Sequence, residues 1–181
     1  MPLSWFRNRG SDRRKAKQLY GAVVTQARQP MFYSGQGVPD TPAGRYEMIV
    51  LHLFLVMERL RAEGEPAVKL SRMLVEAFVE DMDDSMREMG VGDLSVPKKV
   101  KRAAAGFYER AGEYRAGFEA ADGAALAAAL ARNVWPDGAV EANAEMMAAY
   151  ARSAAADLAG QPAARLMAGE VTFPPVVYVE L

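Results

Sequence analysis

TPAGRYEMIVLHLFLVMERL (Thr41–Leu60) and PAVKLSRMLVEAFVEDMDDSMREMG (Pro66–Gly90) decide the fold class. In the first stretch Tyr46, Ile49, Val50, Leu53, Met57 and Leu60 recur at three- and four-residue steps, the period of one helix face. Leu51, Phe54, Leu55 and Val56 widen that stripe, so the helix is expected at the centre of the fold. Thr41-Pro42 reads as an N-cap followed by proline at the first helical position, where the missing N–H costs nothing. Gly64 ends the helix. Pro66 opens the next, with Leu70, Met73, Leu74, Ala77, Phe78, Met82 and Met86 as its inner stripe, and Gly90 stops it.

The same period continues on both sides. Upstream, Ser11 and Asp12 are placed to cap a helix running to about Arg28, with Leu19, Val23 and Ala27 on one face. The loop Gln29–Gly44 holds three prolines and three glycines. It also carries Met31, Phe32 and Tyr33, so it is expected to fold back onto the core. Downstream, Val96, Val100, Ala103, Ala104, Phe107 and Tyr108 mark a fourth long helix to about Arg115. Asp122 caps a short alanine-rich helix to about Asn133. Trp135–Gly138 breaks it, and a last helix capped by Asp137 runs to about Leu158. The expectation is an all-α, single-domain bundle of about six helices. It has a long loop after the first helix and an irregular C-terminal tail. Residues 1–10 form a basic and aromatic extension, 11–160 the helical domain, and 161–181 a proline-containing tail, extended or disordered.

Composition narrows the function. The 181 residues carry a net charge of −1, which gives no general bias toward nucleic acid, and DNA is not an expected partner. Cysteine is absent, so disulfides, thiolate metal sites and a thiol nucleophile are excluded. His52 is the single histidine. The longest apolar run, Ile49–Met57, is interrupted by His52 and falls short of the roughly 20 residues a span needs. MPLSWFRNRGSDRRKAK lacks the apolar region of a secretory signal. These features point to a cytoplasmic protein, at most at the cytoplasmic face of the inner membrane.

Residues 1–17 hold six basic side chains against Asp12 alone. Trp5 and Phe6 beside Arg7, Arg9, Arg13 and Arg14 suit an interfacial anchor, with rings in the headgroup layer and cations on anionic lipid. The same cations suit ribosomal RNA phosphates, and the bland reading is a solvated terminus.

Candidate chemistry is sparse. Glu80, Asp83 and Asp84 stand at i, i+3 and i+4, a carboxylate face of the kind Mg²⁺ uses. No second acidic motif accompanies it, so a solvated face is the favoured reading and a Mg-dependent helical enzyme the lesser one. No nucleophile elbow and no phosphate loop occur. A lone histidine in an apolar helix is more often a hydrogen-bonded core group than a ligand. Methionine is abundant, at 11 residues. Its thioether suits adaptable binding faces, but Met73, Met82 and Met86 fit a plain core stripe. Lys98, Lys99, Lys101 and Arg102 open a helix where the macrodipole disfavours cations. They match either an anionic partner or the acidic helix before them.

The ordered set Val38–Thr41 (VPDT), Arg45–Glu47 (RYE) and Leu51–Leu53 (LHL) is followed by Asp81–Gly90, Gly92–Lys101 and Phe107-Tyr108. In that order and spacing, over about residues 17–150, the chain resembles the ubiquinol–cytochrome c chaperone family. The resemblance implies a helical, non-enzymatic protein without cofactor or metal. It would bind newly made cytochrome b and promote assembly of the ubiquinol–cytochrome c reductase complex, the respiratory complex III, with the ribosome or a small helper protein as further partners. The alternative is a peripheral membrane or ribosome adaptor acting through the basic N-terminus. Partner contacts are then expected at Asp40, Arg45, His52, Arg87, Glu88, Asp93, Lys98, Lys99, Lys101 and Arg102. Phe32 and Tyr33 of the aromatic loop join them, and Trp5, Phe6, Arg7, Arg9, Arg13 and Arg14 form the tether.

Overall fold

The computed structural model describes residues 3–176, and their side chains from residue 10 onward except that of Pro66. Within them the chain forms eight helices and no strand: α1 (Leu3–Ala27), α2 (Pro30–Ser34), α3 (Pro42–Arg61), α4 (Glu65–Glu88), α5 (Val96–Glu119), α6 (Ala124–Val134), α7 (Glu141–Gly160) and α8 (Ala163–Ala168). The six long helices are those the periodicity predicts. Two short ones, α2 and α8, interrupt segments that read as loop and tail.

Helix α3 is the axis of the bundle. Every residue from Glu47 to Val56 is buried, as expected of a helix apolar on all sides. It packs against α1, α4, α5, α6 and α7. Its start is set locally. Thr41 is extended, and its hydroxyl accepts from the Gly44 N–H at 3.1 Å. A Cβ on Gly44 would lie 2.0 Å from the Pro39 carbonyl oxygen. Only glycine allows the incoming loop to lie this close to the helix.

Several boundaries differ from the sequence expectation. Ser11 and Asp12 do not cap α1, which begins at Leu3. Asp12 instead ties α1 to α4, accepting from Lys69 at 2.6 Å, and the Lys69 ammonium holds its carboxyl below the usual range. Helix α5 runs on past Arg115 because Tyr114 and Gly117 are buried. At Gly117 an added Cβ would meet the Leu126 Cα at 2.8 Å, so the backbones of α5 and α6 approach closely there. Asp122 accepts from Ala125 N–H at 3.2 Å, supporting the start of α6. Asp137 does not cap α7, which opens at Glu141 after a turn through Gly138 (φ 117°). The Trp135 indole donates to Gly37 O at 2.7 Å and fastens this corner to the α1–α3 connection. The tail is also more ordered than it reads. The Gln161 side chain donates to Thr172 O (2.7 Å) and accepts from Thr172 N–H (3.1 Å). The β-branched run is described only at Val176, and its continuation to Val179 lies outside the described residues.

Candidate partner-binding site

The aromatic loop folds inward, as its composition predicts. Phe32 sits at the start of α2, fully buried, with its ring 5.3 Å from His52 and 5.0 Å from Tyr150. Phe173 of the tail closes the far side of the imidazole at 5.2 Å. His52 is wholly buried, and both ring nitrogens are engaged. Nδ1 lies 2.7 Å from Met48 O, which can only accept, so Nδ1 carries the proton and Nε2 accepts from Tyr150 OH at 2.8 Å. Gln26 donates in turn to Tyr150 OH and to Pro174 O, both at 3.0 Å. Burial without a counter-charge lowers the imidazole pKa to about 4. His52 and Phe32, expected among partner contacts, are therefore corrected: they have no surface to offer in this fold. Tyr33 is half-buried, donates to Ala27 O at 2.7 Å and holds α2 against the end of α1. Met31 of the same loop is exposed.

The remaining predicted residues are on the surface. Arg45 and Asp40 form an exposed pair at 2.7 Å beside the α3 cap, and the guanidinium holds the Asp40 carboxyl below the usual range. Arg87 donates to Asp83 and to Asp93, each at 2.6 Å, bracing the end of α4 to the following turn. Glu88 is exposed. Lys98, Lys99, Lys101 and Arg102 are exposed at the start of α5 and form no ion pair among the described residues. Three acids of α4 are occupied elsewhere. Glu80 is paired with Arg13 and Lys17 of α1, Asp81 accepts from Tyr20 OH at 2.7 Å, and Asp83 accepts from Arg87. The intramolecular match between the cationic stretch and the acidic helix is thus not made. Nor do the acids converge on a metal position: among the described residues no group of three or more carboxylate or imidazole side chains is placed to share an ion.

Of the N-terminal tether, Arg13 is drawn into the α1–α4 contact by Glu80, while Arg14 is exposed. The side chains of Trp5, Phe6, Arg7 and Arg9 lie outside the described residues. No helix of the described residues is long and apolar enough to cross a membrane.

What the fold brings together is a groove of about 800 Å³ between α3, α4 and α5. Pro42 and Tyr46 come from the capped start of α3, Met82, Met86 and Met89 from α4, and Lys99 and Arg102 from α5. Tyr46 OH donates to Ala103 O at 2.7 Å and fixes one wall. The other support is a two-pronged ion pair: Arg110 Nε and Nη2 each donate to a different Glu47 oxygen at 2.6 Å. Burial pushes the Glu47 carboxyl up against the pull of Arg110. The methionines grade from buried Met82 through half-buried Met86 to Met89, which is 59% exposed. Met82 is buried as the core stripe predicts, while Met86, expected in the same stripe, is only half-buried, and Met89, outside it, extends the groove. Their signal in the sequence was abundance alone. On the other flank of α5 a second groove of about 530 Å³ is lined by Phe54, Met57, Val68, Val75 and Tyr108. There the rim charges of Glu58 are met by Arg61 and Arg115.

These features define a helical protein with an adaptable, cation-edged apolar groove. Comparison with known proteins identifies the class. The family model for the ubiquinol–cytochrome c chaperone matches residues 35–173, and the chain belongs to that family. The match starts later than the 17–150 resemblance and extends through α7 and α8 to Phe173. The chain is also similar to the ubiquinol-cytochrome-c reductase complex assembly factor 1 of Xenopus laevis, at 25% identity over 119 residues, 66% of this chain. It spans 59% of that relative's length. A crystal structure of the Cbp3 homolog from Brucella abortus superposes with a TM-score of 0.85 and 38% identity, covering 97% of this chain and 98% of that one.

Proposed function

We propose that this protein is an assembly chaperone for the ubiquinol–cytochrome c reductase complex that binds newly made cytochrome b and releases it to assembly, without catalysing a reaction. The observation that carries this reading is the α3–α4–α5 groove. A client that is itself apolar and helical needs a concave apolar surface able to re-pack, and Met86 and Met89 supply flexible, polarisable side chains. Lys99 and Arg102 at its edge add orientation and a faster encounter with an acidic flank of the client. The groove offers room for one face of a helix, matching the helix-in-groove mode of recognition.

Crosslinking from native membranes followed by mass spectrometry tests the reading. Wild-type protein is expected to capture cytochrome b, and M86E/M89E to lose it while remaining folded. Deleting the gene in the source organism is expected to lower assembled complex III and leave other respiratory complexes intact. Normal cytochrome b levels in the deletion strain would overturn the proposal. A small helper protein or the ribosome, if bound, would appear in the same crosslinking experiment.

A further inference from the structure

We propose that the corner between α4 and α5 is a membrane-docking edge, in which Leu94 enters the headgroup layer of an anionic bilayer while Lys98, Lys101 and Arg102 meet its phosphates. Leu94 is 99% exposed, so the fold makes no use of it. The chain is already turning helically there: Ser95 N–H donates to Gly92 O at 2.7 Å and Lys99 N–H to Ser95 O at 3.1 Å. Steps of four, seven and eight residues therefore place Lys98, Lys101 and Arg102 on the side of Leu94. Val96 and Val100, on the opposite side, are buried. The turn before α5 and the first two turns of the helix thus carry an inward apolar face and an outward face of one leucine and three cations. Met89, 59% exposed, adds apolar surface at the same corner.

The charge balance favours an anionic surface. Asp93, the acid next to Leu94, is engaged by Arg87 at 2.6 Å. Glu88 subtracts one charge, but the three cations have no ion partner among the described residues. Lys98 also stands in the first turn of α5, where the helix dipole disfavours a cation and an outside anion would offset it. Shape separates a bilayer from a protein partner. Leu94 projects from a convex corner with no wall around it, which suits a fluid headgroup layer and offers nothing for a rigid partner to clasp. Met89 also lines the groove, so docking here would hold the groove's mouth at the bilayer surface. The proposal does not depend on which client the groove takes.

The test is sedimentation of the full-length protein with phosphatidylcholine vesicles, with and without phosphatidylglycerol. Pelleting is expected only with the anionic lipid. L94D should weaken it about tenfold, from the lost burial of one leucine. K98Q, K101Q and R102Q should each weaken it about fivefold. All four variants should melt as the wild type does, since these side chains contribute little to the packed fold. Failure of the wild type to pellet with anionic vesicles would overturn the proposal. So would L94D pelleting like the wild type, because the leucine would then have no part in lipid binding. Loss of pelleting in W5A/F6A/R7Q/R9Q with full retention in L94D would assign membrane binding to the N-terminus instead.

Discussion

The two faces of α3 have opposite designs. Toward α7 and the tail, His52 is bonded at both nitrogens, ringed by Phe32, Tyr150 and Phe173, and closed to water. Toward the ends of α4 and α5, apolar side chains line open grooves and cations stand without ion partners among the described residues. One half of the molecule has spent its hydrogen bonds and apolar area on itself. The other half holds both in reserve. A chaperone needs that division, because a surface that re-packs around a client must be carried by a part that does not.

Variants on the two faces should accordingly separate stability from capture. The largest loss of stability is expected from F32A, which removes a fully buried ring from the His52 cage: about 3–5 kcal/mol by denaturant unfolding, with little specific effect on capture under conditions where the protein remains folded. E47A should cost about 3 kcal/mol by leaving Arg110 half-buried without its carboxylate. It should also loosen the groove wall, so it alone should weaken both properties. Next comes pH. The His52 imidazole titrates at about 4 when folded and near 6.5 when unfolded. Its contribution is fully present above pH 6.5 and is lost as pH falls toward 4, because the unfolded chain takes up the proton first. That amounts to about 3 kcal/mol. In H52Q the wild-type excess of acid sensitivity between pH 6.5 and 4 should vanish, read from melting curves of the two proteins across that range. The smallest stability effect is expected from M86A and K99Q, within about 1 kcal/mol, yet these should weaken client crosslinking where F32A does not. If M86A unfolds the protein, or F32A alone abolishes capture at full folding, the division between the faces is wrong.

Much of this was legible in the residues. Thr41-Pro42 announced the α3 cap, and Thr41 makes the hydroxyl bond it implies. The stripe from Tyr46 to Leu60, widened by Leu51, Phe54, Leu55 and Val56, announced the central helix. The inward fold of the aromatic loop followed from placing Phe32 and Tyr33 among prolines and glycines. The site was less legible. His52, Phe32 and Lys99 looked alike as matches to a family pattern, but the first two lie in the sealed core and the third edges the groove. Met82 and Met86 differ by a single turn of α4 and looked alike too, yet α3 covers one and leaves the other half open. The start of α1 was misread for a related reason: Asp12 has the chemistry of a cap, and only the neighbouring α4 supplies Lys69, which makes it a bridge instead.

The sequence by itself determined the helices and the central position of α3. It also excluded thiol, zinc-thiolate and phosphate-loop chemistry, because these depend on local period, capping and residue type. Only the tertiary structure decided which face is closed and which is open. Exposure depends on what packs across from a residue, and the partners of α4 and α5 lie dozens of residues away in the chain. The unmatched cations at the start of α5 are the clearest case: their charge is written in the sequence, but that no acid of α4 turns to meet them is a fact of the fold.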